Sequence, residues 1–197
     1  EAASLRFFIF AGRICTLMAE FPNEPVYQRT VLEMLAVAHD FCQYCQQVEE
    51  KNAQEITAYL QKILPLLYLK GELLPEVEPE YPEAAERFVT EEEWESLFNR
   101  LRAVFGEEDI FYTYDPASYG WGESLKASLS EHIADIYQDL RDFVLLYQKN
   151  SRAAKENAVA GCRELFIRRW GPRIASMILA LHRSEEHTSE LQSRITI

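Results

Sequence analysis

Apolar side chains recur at intervals of three and four along most of this chain, the spacing that lines one face of an α-helix. Between 26 and 50 such a face is formed by Val31, Met34, Leu35, Ala38, Cys42 and Cys45. Asn52 with Glu55 predicts the next N-terminus, because the Asn side chain can accept from an early, otherwise unpartnered N–H. Ile56, Tyr59, Leu60, Ile63, Leu64 and Leu67 continue that helix. Pro65 is expected to kink or break it, and Gly71 to close it. Thr90 and Glu93 mark another start, with Val89 placed to staple against Trp94; Leu97, Phe98, Leu101, Val104 and Phe105 carry the stripe to Gly106. A long helix is predicted from about Ser124 to Lys149, on a heptad-like seam of Leu129, Ile133, Ile136, Leu140, Phe143 and Tyr147. The last pattern starts near Ser151 and runs through Ala158, Val159, Cys162, Leu165, Phe166 and Trp170. Gly171-Pro172 is expected to interrupt it before a shorter helix through Ile174, Met177, Ile178 and Leu181. No alternation of period two is strong enough to predict a strand. The pattern therefore predicts an all-α, single-domain bundle of five to six helices.

Two stretches break the helical rhythm. In 72–89, Pro75, Pro79 and Pro82 alternate with Glu72, Glu76, Glu78, Glu80, Glu83 and Glu86, which predicts a solvated Pro/Glu-rich loop. In 107–123, Phe111, Tyr112, Tyr114, Tyr119 and Trp121 surround Asp115-Pro116, which predicts an aromatic-rich loop. Tyr112, Tyr114 and Trp121, with His132 close in sequence, are candidates for a ligand pocket, since such rings pair an apolar body with a polar tip. The plainer expectation is that the rings cover the open end of the bundle.

Composition narrows the function classes. The 197 residues hold only 7 Gly, which disfavours turn-rich β folds and Gly-rich phosphate loops. A net charge of −12 argues against direct nucleic-acid binding, which needs a basic footprint. No apolar run reaches the ~18 residues of a membrane span. With Cys15 near the front of the chain, Cys42, Cys45 and Cys162 form a sparse, odd set that fits reduced thiols in a cytoplasm.

Candidate chemistry is thin. His39, Cys42 and Cys45 invite a metal or redox reading, yet the two cysteines share the apolar face with Leu35 and Ala38, so core packing is the expectation. Glu131, Asp135, Asp139 and Asp142 form an acidic stripe away from the apolar seam at 100° per residue, and are expected to face water or a protein partner. Arg163, Arg168, Arg169 and Arg173 flank Trp170 and suit pairing with the chain's own Glu-rich loop. No nucleophile elbow, Walker loop, dinucleotide fingerprint or His-Glu-x-x-His motif occurs, so no catalytic residue and no cofactor is indicated. The leading expectation is a protein-binding adaptor or regulatory module. The alternative is a small-ligand or enzymatic bundle built on the aromatic loop.

The ends carry expectations of their own. Residues 183–194 look like translated sequencing-adapter sequence, so 183–197 is set aside; Met18 is the expected start, with 1–17 as upstream sequence and 18–182 as the domain. Four stretches, YLQKILPLLYLKGELLPEVEP (59–79), FVTEEEWESLFNRL (88–101), SEHIADIYQDLRDFV (130–144) and RRWGPRIASMILALH (168–182), resemble the bacterial family called domain of unknown function 5063. That resemblance implies a cytosolic, all-helical single domain and assigns no activity or site residue.

Overall fold

Helix α1 (Arg29–Gln46) lies between two 3-10 turns, Pro25–Tyr27 and Val48–Glu50. It buries the expected stripe plus Phe41. The computed structural model describes residues 24–114 and 124–182. Helix α2 (Ala53–Glu72) opens on a full capping box: the Glu55 N–H donates to Asn52 Oδ1 at 2.9 Å, and the Asn52 N–H to Glu55 Oε2 at 2.9 Å. Of the kink or break expected at Pro65, the break does not occur: α2 continues through it. That residue is exposed, so the missing N–H falls on the solvent side, where water can replace the bond. Gly71 is likewise not a terminator. It lies inside α2, where a Cβ would sit 2.5 Å from Trp170 Cη2 and 2.6 Å from Phe166 Cδ2.

Helix α3 (Glu91–Phe105) starts as predicted, with the Glu93 N–H donating to Thr90 Oγ1 at 3.2 Å. It ends at Gly106, whose φ of 55° favours glycine. The next stretch corrects the sequence reading. Strand β1 (Ile110–Tyr114) pairs antiparallel with strand β2 (Ser124–Ser128), Ile110 opposite Ser128 and Tyr112 opposite Lys126. What was expected as a continuous loop and the first turn of a helix is thus a two-stranded ribbon. Its alternation, Phe111 buried and Tyr112 exposed, is too short to stand out as a period.

Helix α4 (Leu129–Tyr147) follows directly, capped by Ser128 Oγ accepting from the Glu131 N–H at 3.1 Å. Buried Asp109 secures this end, with Oδ1 taking the Ser130 N–H at 2.7 Å and Oδ2 the Ser128 hydroxyl at 2.7 Å. A carboxylate there also meets the positive end of the helix dipole. Helix α5 (Arg152–Leu165) begins at the Ser151 cap and runs without a break into a π-helical turn, Phe166–Trp170. Helix α6 (171–182) continues from it. The expected interruption at Gly171-Pro172 is absent: the widened turn sends the Gly171 N–H to the Phe166 carbonyl, and Pro172, which has no N–H to place, comes next. Helix α4 is the centre of the bundle, packed against α1, α3 and α5.

Candidate functional site

Because α4 is enclosed, its acidic stripe does not face water. Asp135, Asp139 and Asp142 are 7, 2 and 7% exposed, and of the four predicted acids Glu131 alone is open to solvent. The expectation failed because the counter-charges come from distant sequence. Asp135 Oδ1 accepts from Trp94 Nε1 at 3.0 Å and Arg169 Nη2 at 3.1 Å, while Oδ2 meets Arg173 Nη2 at 2.8 Å. Asp139 Oδ1 meets Arg169 Nη1 at 3.3 Å, and Arg169 also reaches Gln138 Oε1 at 3.2 Å. The basic cluster therefore pairs within the chain, but its Arg169 and Arg173 take α4 rather than the Glu-rich loop. Arg163 does reach that loop, donating to the Leu74 carbonyl at 3.3 Å.

Asp142 has a different task. Its Oδ1 accepts the Phe88 N–H at 2.7 Å and the Val89 N–H at 2.9 Å, fastening the end of the 72–89 strap to α4. Between the strap and α5 lies a cleft of about 490 Å³. Ala85, Glu86 and Arg87 form its strap side, Asp139 and Asp142 line it from α4, and Gly161 and Cys162 line it from α5. Burial is the main force on Asp139, opposed by Arg169 and Arg87, and its carboxyl pKa is pushed up to about 6. Burial likewise raises the Cys162 thiol well above its ordinary range. The strap and these interior carboxylates were not foreseen as one site; the readable signal was that Asp135 and Asp139 share the i, i+4 spacing of Arg169 and Arg173.

The other candidates are dispersed. Tyr112 points outward, 68% exposed, whereas His132 is half-buried with its ring edge-on to Phe111, centroids 5.4 Å apart. A small apolar cavity of about 270 Å³ beside the ribbon is lined by Phe105, Ile110, Phe111 and Leu181 among others, and by neither Tyr112 nor His132. Trp121 and the side chain of Tyr114 lie outside the described residues, as do 1–17 and 183–197. Burial drives the His132 pKa down to about 4, with Arg173 adding to the shift. Cys42 and Cys45 sit in the core, 1 and 2% exposed, and His39 is half-buried on the same helix. Among the described residues no group of three or more His, Cys, Asp or Glu is placed to hold a metal ion.

An all-helical domain with one small ribbon, centred on a helix whose acids are matched by arginines of another, is the class these features define. Residues 25–187 match the domain of unknown function DUF5063, and the chain belongs to that family. The crystal structure of protein BF1032 from Bacteroides fragilis is similar, with a TM-score of 0.71 and 32% identity over 81% of this chain and 94% of that one. A comparison with curated proteins finds no match.

Proposed function

We propose that this chain is a protein-binding module that offers a fixed acidic ridge to a basic segment of a partner. The observation that carries the reading is how the 72–89 strap is held. Its backbone is tied down by Arg163 at Leu74, by Glu156 Oε2 accepting the Glu80 N–H at 3.2 Å, and by Asn157 Nδ2 donating to the Tyr81 carbonyl at 2.8 Å. Asp142 closes the series at Phe88 and Val89. Meanwhile Glu76, Glu78, Glu80, Glu83 and Glu86 remain exposed. A segment already ordered in the free protein saves a partner the entropy of ordering it. Its acid excess steers basic segments and repels nucleic-acid backbones.

A cytoplasmic location fits the reading: the described cysteines Cys42, Cys45 and Cys162 are free thiols, the state a reducing compartment maintains. Among the described residues no helix is long and apolar enough to cross a membrane.

The test reverses the ridge with Glu76→Lys, Glu78→Lys and Glu83→Lys together and measures binding to an array of basic peptides by fluorescence anisotropy. Wild type should select a subset, weakening as salt rises from roughly 50 to 300 mM because exposed charges are screened. The reversed protein should lose that binding at least about tenfold with its melting temperature nearly unchanged, as expected for exposed substitutions. Equal affinity after reversal would remove the ridge from the function.

A further inference from the structure

We propose that the cleft between the strap and α5 is a binding site for a cationic group, an ammonium or guanidinium, received by the free carboxylate oxygens of Asp139 and Asp142. Each aspartate spends one oxygen and keeps one. Asp139 Oδ1 is held by Arg169 and Asp142 Oδ1 by the two strap amides, whereas Oδ2 of each is buried without a hydrogen-bond partner. The Asp139 side chain has 0% exposure. A buried acceptor left unmatched is costly, more so when charged, so two of them on residues lining one cleft call for a donor.

The cleft has the dimensions and character for that donor. Its volume of about 490 Å³ falls within the roughly 300–1,000 Å³ of small-molecule sites. Glu86, paired with Lys149, and Glu164, paired with Arg168 at 2.8 Å, also line it together with the cation of Arg87, while Phe143, Leu146 and Ala158 give an apolar wall for an alkyl stem. The groups facing Asp139 are Asp135 and Asp142 from α4, Arg169 from the π turn, Arg87 from the strap and the Cys162 thiol from α5. With its pKa held near 6 by burial, Asp139 is part-protonated in mildly acid solution. A docked cation favours the ionised form, so binding should strengthen as pH rises through that value. Of the ridge glutamates only Glu86 lines the cleft; Glu76, Glu78, Glu80 and Glu83 take no part in it, and the inference stands without them.

The probes are cadaverine and agmatine as free cations, and end-blocked Gly-Gly-Lys-Gly-Gly and Gly-Gly-Arg-Gly-Gly as side-chain donors, titrated calorimetrically into the full chain. At least one probe should bind at one per chain, several-fold tighter at pH 7.5 than at pH 5. Saturation by a free amine identifies a small cation as the occupant, and saturation by peptides alone identifies a partner's side chain; either supports the cleft. Asp139→Asn and Asp142→Asn should each weaken binding at least tenfold. Gly161→Leu provides a variant that spares the carboxylates: a Cβ there meets nothing within 4 Å, so the added side chain can fill the cleft while the fold persists. It should abolish binding, whereas the three ridge reversals should leave it within twofold. No saturable binding of any probe, or binding untouched by Gly161→Leu, would overturn the site. Loss on ridge reversal with Gly161→Leu unaffected would assign the binding to the ridge instead and likewise overturn it.

Discussion

Removing the Asp142 carboxylate should cost far more when the acceptor goes than when the charge goes. Asp142→Ala leaves the Val89 N–H, on a residue 8% exposed, and the half-buried Phe88 N–H without their acceptor. Hydrogen bonds to a charged group contribute roughly 1.5–3 kcal/mol each, and water can reach Phe88 in part, so the gross loss is about 3–4 kcal/mol. The wild-type carboxylate also carries a buried, unmatched Oδ2, and deleting it returns about 1 kcal/mol. The net destabilisation is then about 2–3 kcal/mol, or roughly 5–10 °C in melting temperature for a domain of this size. Asp142→Asn keeps a carbonyl oxygen where Oδ1 stood and should fall within about 1 kcal/mol of wild type. Urea unfolding followed by circular dichroism measures both, and amide exchange at Phe88 and Val89 reports whether the strap has lifted. An Ala variant within about 0.5 kcal/mol of wild type would refute the claim that this carboxylate anchors the strap. An Asn variant as damaging as Ala would show that charge, rather than acceptor geometry, holds it.

Other perturbations read other parts of the structure. Gly71→Ala should destabilise by about 1–3 kcal/mol despite better helix propensity, because its methyl meets the buried rings of Trp170 and Phe166. Gly161→Ala, with open space around it, should stabilise by roughly 0.5–1 kcal/mol; urea midpoints that move together would contradict the contrast. For Asp139, whose folded pKa is raised to about 6, the stabilising contribution is full below about pH 4 and lost as pH rises through 6. His132, lowered to about 4, contributes above about pH 6.5 and loses that contribution as pH falls. The two slopes oppose each other in wild type, so the readable quantity is the difference: Asp139→Asn should gain on wild type by about 1–3 kcal/mol between pH 4.5 and 7. Parallel stability profiles would dismiss the buried charge. Iodoacetamide at pH 8 should leave Cys42, Cys45 and Cys162 unmodified in the native protein and label them in urea, since burial raises all three thiols; rapid native labelling would contradict their placement.

The parts of this fold legible in the sequence were those decided within one or two turns. The Asn52–Glu55 box, the Thr90 and Ser151 caps, the Gly106 terminus and every apolar stripe are local patterns, and the structure repeats them. Local rules failed where a distant side chain changed the outcome. Gly71 reads as a helix terminator until Trp170 is laid across it, and Gly171-Pro172 reads as a break until a π turn absorbs the missing donor. The ribbon escaped notice because five residues per strand offer little periodicity and β2 follows the aromatic loop into a capped helix. The acidic stripe is the instructive error. The acids do lie off the apolar seam, but Asp139 falls only about 40° from Phe143 at 100° per residue, and the inference from polar to exposed ignored that Arg169 and Arg173 can bring counter-charges to it.

That arrangement also links the anchored strap to the cleft. A helix packed on all sides usually carries apolar residues all round, since buried charge is costly even when paired. Here α4 keeps three aspartates inside, and their partners fall in a graded order. Asp135 is matched on both oxygens by Trp94, Arg169 and Arg173; Asp139 is matched on one; Asp142 is matched on one by backbone amides that also fix the strap. If the carboxylates served packing alone, hydrophobic residues of similar volume would do as well or better. Full satisfaction of Asp135 at one end, and one unmatched oxygen on each of the two cleft-lining aspartates, instead describe a row in which Asp135 ties the bundle together and Asp139 and Asp142 keep an acceptor to spare. A cation entering between strap and α5 would meet Asp142 and Asp139 together and could tighten the same strap that presents the ridge. In that geometry occupancy of the cleft and order of the ridge are coupled, so ligand binding should lower amide exchange at Phe88 and Val89. Exchange unchanged in the saturated protein would uncouple the two.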